Sequence, residues 1–235
     1  MHKSIQHHIN TIGHISNSIN TRYSESVNTF NIRYKRETQR LNQAASALAN
    51  MHENKNPLET SAAHFKKISI HAKRLENEIY NTENRLPDIQ IGLANDIDKR
   101  INEKLNLSED KYGEEFRETL RNMETKKRYS AIQKVIESGD SKCMAAIAKA
   151  PPILSGIDQE MHSRYIENYQ TRYAPELINE RNQFLETITD LSSMISSTKK
   201  LANAFLDPER LQNIEQDEQS AIEAESNFNQ AFSTN

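Results

Sequence analysis

Apolar residues recur over the first fifty positions at Ile5, Ile9, Ile12, Ile15, Ile19, Tyr23, Val27, Phe30, Tyr34, Leu41, Leu48 and Met51, with nearly every step three, four or seven. Steps of that size draw one narrow stripe along a helix, the pattern of a coiled-coil seam rather than of a broad core face. The spacing predicts a single helix from about residue 4 to 51, a rod of about 70 Å at 1.5 Å per residue. Gly13 is its weak point, and its first dozen residues are expected to fray. A break follows over residues 52–56. Asn56 as cap, Pro57 in the first helical position and Glu59 in a capping-box-like place predict the start of a second helix.

That second stripe runs through Leu58, Ala62, Phe65, Ile68, Ala72, Leu75, Ile79, Leu86, Ile89, Leu93, Ile97, Ile101 and Leu105. Two long stripes joined by a short connection read as an antiparallel helical hairpin. Pro87 interrupts the second, removing a backbone donor and crowding the carbonyl four residues back, so a kink or break is expected at 85–88.

Beyond residue 107 the elements shorten. Ser108 with Glu109 and Asp110 predicts a helix start, Tyr112, Phe116, Leu120, Met123, Ile132, Val135 and Ile136 its apolar face, and Gly139 its left-handed end. Asp140 caps a short apolar helix over 141–150, stopped by Pro151 and Pro152. Ser155 is the next predicted cap. A fourth long stripe then runs Ile157, Met161, Tyr165, Tyr169, Tyr173, Leu177, Phe184, Ile188, Leu191, Ile195, Leu201 and Phe205, with a kink expected at Pro175. Asp207, Pro208 and Glu209 form a restart signal. The helix they open carries five acids after Arg210 (Glu215, Asp217, Glu218, Glu223, Glu225) and no base, so it is expected to be solvated or held by a partner.

Composition narrows the class. Only 5 Gly and 6 Pro in 235 residues argue against an all-β or Rossmann-type chain, which needs many glycine-assisted turns. With 35% hydrophobic residues, 6% aromatic and no Trp, one thick globular core is not expected. A net charge of −3 is too balanced for a dedicated nucleic-acid binder and too low for simple disorder. One cysteine, Cys143, excludes an internal disulfide. The longest apolar run, 143–148, is far short of the roughly 20 residues that span a bilayer, and the first residues lack a signal-peptide core. A cytoplasmic protein without a membrane segment is expected.

Candidate chemistry is sparse. No two of the eight histidines stand four apart and no Glu stands three before a His, so the helical offsets that converge on a metal are missing. His2, His7 and His8 are the one place where a metal would be sought. Cys143 reads as a buried small hydrophobe. The glycines stand alone and form no phosphate loop, and the many carboxylates suit i,i+4 pairing better than acid–base catalysis. No catalytic, cofactor-binding or metal-binding residue is nominated, and the chain is expected not to be an enzyme. Basic stretches at Arg33, Tyr34, Lys35, Arg36 and Arg40, and at Lys126, Lys127 and Arg128, could touch phosphates and stack a base on Tyr34 or Tyr129. Tyr34, however, belongs to the apolar stripe, which favours a core tyrosine beneath a solvated face.

Gly139 and Asp140, then Ala145, Ala146 and Ile147, then Ala150 and Pro151, then Leu154, Ser155 and Gly156, preceded by Tyr112, Phe116 and Arg117, form a pattern. It resembles one in helical, coiled-coil proteins encoded by tailed phages and prophages. The likeness spans about residues 108–160 and departs at Pro152. It implies an origin rather than an activity, and with it a role in virion structure, assembly or phage accessory functions.

The expected fold is therefore all-α and elongated: a long antiparallel hairpin over 1–106, a small central helical subdomain over 107–160, and a long helix with an acidic terminal segment over 161–235. The expected function is non-catalytic, a phage or prophage structural or assembly component acting through coiled-coil surfaces. Protein partners through the helical seams, a homo-oligomer or larger assembly, and a host-cytoplasmic or virion-associated location go with it. The alternatives are a nucleic-acid-associated protein using the basic stretches around 33–40 and 126–128, and an accessory protein that blocks a host factor. If the seams join separate chains, a charge at Ile19 or Ile79 is expected to abolish assembly.

Overall fold

The computed structural model describes residues 3–24, 29–107 and 113–233, with the backbone alone for Thr29, Phe30, Phe232 and Ser233. His2, Val27, Ser108, Glu109, Asp110, Tyr112 and the side chain of Phe30 lie outside the described residues, as does the end of the chain where fraying is expected. The protein is all-α. Among the described residues there are nine α-helices: α1 (Lys3–Arg22), α2 (Thr29–Glu53), α3 (Ser61–Lys104), α4 (Gly113–Asn122), α5 (Thr125–Ser138), α6 (Ser141–Ala148), α7 (Gln159–Tyr173), α8 (Pro175–Asn203) and α9 (Pro208–Ser233), with a 3-10 turn at Pro152–Ser155. No helix among them is long and apolar enough to cross a membrane. The chain divides into two compact units, residues 1–90 with 187–235, and residues 91–186.

The first unit corrects the expectation of one N-terminal rod. The stripe is shared by two helices, and α1 packs against α2. A Cβ on Gly13 of α1 would stand 3.8 Å from Asn42 Oδ1 of α2. After α1 the Ser24 amide donates to the Thr21 carbonyl at 3.3 Å, a turn in place of a helical bond. Ile12, Ile19, Tyr34, Leu41, Ile79 and Leu201 are fully buried in this unit. Each such aliphatic side chain contributes about 1.5–3 kcal/mol by leaving water. Hydroxyls are buried in the same layers: Thr38, Ser69, Thr82, Thr187 and Thr198 are inaccessible. Tyr23 Oη and Thr187 Oγ1 are 2.8 Å apart, and Ser69 Oγ donates to the Phe205 carbonyl at 3.2 Å. Glu37 of α2 accepts from Arg85 at 2.9 Å, and Lys199 of α8 donates to Glu83 at 2.7 Å.

Other helix boundaries also differ from the sequence expectations. The second long helix begins at Ser61, with Thr60 as its cap, Oγ1 accepting from the Ala63 amide at 3.1 Å. Asn56 and Pro57 instead form a turn closed by the Glu59 amide on the Asn56 carbonyl at 3.0 Å, because Asn followed by Pro suits a β-turn as well as a helix start. Leu58, expected on the stripe, is 94% exposed. Of the kink or break expected at 85–88 there is no break, for α3 is continuous through Pro87, which is exposed. At Pro175 there is a full stop rather than a kink: Ala174 leaves the helical region (φ −141°, ψ 49°) and Pro175 opens α8 in the position that needs no amide donor.

The second unit holds the short helices. Gly139 adopts φ 73°, its amide donating to the Ile136 carbonyl and that of Asp140 to the Val135 carbonyl, a Schellman ending. Asp140 Oδ1 then accepts the amides of Lys142 and Cys143, both at 3.0 Å, and starts α6. α4 packs on α6 and on the 3-10 turn, and α7 packs on α5 and α6. The single helix expected over this stretch is divided at Met123 and Glu124 into α4 and α5. The cap of α7 is Asp158, accepting from the Met161 amide at 2.8 Å. Ser155, expected to cap, is buried, and its hydroxyl has no hydrogen-bond partner among the described residues.

Candidate functional site

Several of the residues singled out for chemistry are engaged in structure. The His7 and His8 rings lie 5.5 Å apart, and burial, then His7 and Lys200, hold His8 below the usual histidine range. At the turn between α2 and α3, the His52 and His64 rings stack at 6.4 Å, with Glu59 Oε2 3.1 Å from His64 Nδ1. No group of three or more His, Cys, Asp or Glu among the described residues is arranged to hold a metal ion. Burial, reinforced by Asp140, pushes the Cys143 thiol up to about 11, so it is protonated at neutral pH and a poor nucleophile.

In the first basic stretch the tyrosine is not available as a stacking platform. Tyr34 is fully buried, and burial drives its phenol well above the ordinary tyrosine range. Arg40 pairs with Glu78 at 2.7 Å. In the second unit Arg128 turns inward: its guanidinium donates to the carbonyls of Leu120 (2.7 Å), Met123 (2.9 Å), Arg121 (3.2 Å) and Gly156. These carbonyls lie at the end of α4 and past the 3-10 turn, where helical donors run out; that of Leu120 also accepts from the Met123 amide at 3.2 Å. Arg117 does the same for Ala146 at 3.0 Å, and buried His162 donates from Nε2 to Ile147 at 2.9 Å. Tyr173 Oη donates to Ile136 (2.9 Å) and Glu137 (3.1 Å) over Gly139. A Cβ at Gly139 would meet the Tyr173 ring at 3.2 Å, and one at Gly156 would meet Arg128 at 2.9 Å. The roles of Arg128 and His162 were not legible in the sequence, since nothing local marks a side chain whose acceptors lie on another turn.

The surface that stands out is α9. Asp207 caps it, accepting from the Arg210 amide at 3.0 Å. Its first turns are seated: Ile214 is buried, Arg210 lies 4.2 Å over the Phe65 ring, and Lys66 pairs with Glu218. From residue 215 to 231 every residue is exposed. The stripe that seats Ile214 continues at sevenfold spacing through Ala221 and Phe228, with Ile222 beside it and Glu218 and Glu225 in the same line. Ile222 is 60% and Phe228 64% exposed. The helix thus carries an exposed apolar and acidic line beyond Ile214.

In the same unit, the side of α2 turned away from its buried stripe carries Ile32, 51% exposed, with Arg33 and Arg36 exposed beside it. Neither arginine has an ion-pair partner among the described residues. Residues 29–40 hold four bases and one acid, residues 211–231 five acids and no base.

No protein-family model, no curated protein and no solved structure matches the chain.

Proposed function

We propose that this protein is a non-catalytic structural or interaction component of a phage or prophage particle or of its assembly, acting through helical surfaces. The observation that carries the reading is the exposed length of α9, residues 215–231. A helix of that length with little buried surface is marginal by itself in water, and a partner that covers its stripe supplies what intrachain packing does not. Within this reading the long helices pair as antiparallel coiled-coil segments whose seams serve the chain's own fold. Ile19 and Ile79 are buried inside the chain, so partner contacts belong to outward faces instead.

Gradient purification of particles from the cell that carries the gene tests this. The chain should sediment with particles or assembly intermediates, and its deletion should reduce assembled particles. A chain absent from both, with assembly unchanged by its loss, overturns the reading.

A further inference from the structure

The outward face of α9 and the outward face of α2 match in both charge and apolar content, and we propose that the overhanging part of α9 docks on α2 of a second copy of this chain. This rests on the reading of the protein as an interaction component, and it names the partner for that surface. The overhang presents Ala221, Ile222 and Phe228 with Glu218 and Glu225 along one line, and Asp217 on its flank. The receiving face presents Ile32 with Arg36 beside it, and Arg40 and Arg33 next to Arg36 on the same side.

The two faces are opposite in sign. Unpaired arginines on the one and carboxylates on the other favour encounter and set the orientation, and the apolar side chains exclude water between them. The overhang of residues 215–231 is about 25 Å of helix at 1.5 Å per residue, and the 25 residues of α2, about 37 Å, are long enough to receive it. A reciprocal exchange around a twofold axis uses the contact twice, which brings the buried surface towards that of a stable interface. Intrachain partners already occupy Glu218 (Lys66) and Arg40 (Glu78). The intermolecular pairing therefore falls to Arg33 and Arg36 against Asp217 and Glu225.

Sedimentation velocity on the full-length chain at micromolar concentration, in about 50 mM and about 500 mM salt, decides the matter. The wild type should be dimeric at low salt and dissociate as salt rises. Asp217→Lys with Glu225→Lys should weaken association at least about tenfold, and so should Arg33→Glu with Arg36→Glu. All four substitutions in one chain should restore it. These side chains are exposed, so far-ultraviolet circular dichroism of the dilute variants should match the wild type. A monomeric wild type at low salt overturns the proposal, as does a dimer indifferent to both reversals. Either result with the chain still found in particles sinks this contact alone. A salt-sensitive dimer absent from particles sinks the functional reading and leaves the contact standing.

Discussion

Arg128 and Gly156 are fitted to each other: the guanidinium donates to the Gly156 carbonyl while standing where a side chain on that residue would have to go. With φ at +66°, Gly156 takes a conformation that L-residues rarely adopt, and a Cβ would come within 2.9 Å of Arg128. Replacing Arg128 by Ala removes four charge-assisted hydrogen bonds at once, and the expected loss is about 3 kcal/mol in urea unfolding of the second unit. Arg128→Lys should recover only a minor part, because an ammonium cannot span acceptors on two segments as a planar fork does. A loss below about 1 kcal/mol for Arg128→Ala would show that water replaces the guanidinium.

Two glycines should respond in opposite directions to the same change. Gly156→Ala is expected to destabilise by about 1–3 kcal/mol through backbone strain and the close approach to Arg128. Gly13 lies inside α1 with its nearest neighbour 3.8 Å from an added Cβ. Gly13→Ala should therefore stabilise by about 0.5–1 kcal/mol. Thermal unfolding of the two variants side by side checks the contrast.

Asp140 caps α6, and the amide of Cys143, then that of Lys142, holds its carboxyl below the usual aspartate range. A carboxylate depressed in the folded state adds stability above its unfolded value near 4 and loses it as pH falls through the lower folded value. Asp140→Ala should cost about 1 kcal/mol at neutral pH, and the gap to the wild type should close in acid. Denaturant titrations at neutral pH and near pH 2 measure both ends, and a gap that does not change with pH removes the charge from the account.

The thiol next to that cap offers a separate check. With Cys143 pushed up to about 11, alkylation at mildly alkaline pH should be at least about tenfold slower than for a free cysteine. Asp140→Asn removes the carboxylate that reinforces burial and should speed the reaction. Equal rates in the two proteins would leave burial as the whole cause.

A charge in the seam should break the fold rather than an assembly. Ile79 is 1% exposed within the first unit. Ile79→Asp leaves an unpaired carboxylate among apolar side chains, and a loss of more than about 4 kcal/mol is expected. Helicity at dilute concentration reports it, and a folded variant would place Ile79 at an intermolecular contact instead.

Much of the architecture is legible in single residues whose chemistry has one use. Gly139 in the left-handed conformation, Asp140 as a cap and Asp207 followed by Pro208 act as their sequence context implies, because few other structures use those residues in that order. Where a residue has two uses, reading along the chain fails. Asn56 with Pro57 makes a turn, and the cap passes to Thr60. Asp158 takes the role expected of Ser155. The division between α1 and α2 was hidden for a different reason: a connection that keeps the stripe in phase leaves no trace in the hydrophobic period. As for the outward faces, the acidic run after Arg210 marked α9 as solvated or partner-held. Which side of α2 is free depends on what the fold buries, and no local pattern states that.

The hydroxyls buried among the aliphatic layers of the first unit also act as a vernier. A seam of isoleucines and leucines alone would accept a helix displaced by seven residues nearly as well, since one apolar layer resembles the next. Tyr23 meets Thr187, and Ser69 meets the Phe205 carbonyl, in one alignment only. A slipped arrangement would strand each of these groups in a dry interior at about 1–3 kcal/mol apiece, comparable to a buried leucine. The sparse, repetitive core of this chain is thereby given a single register by a few oxygen atoms.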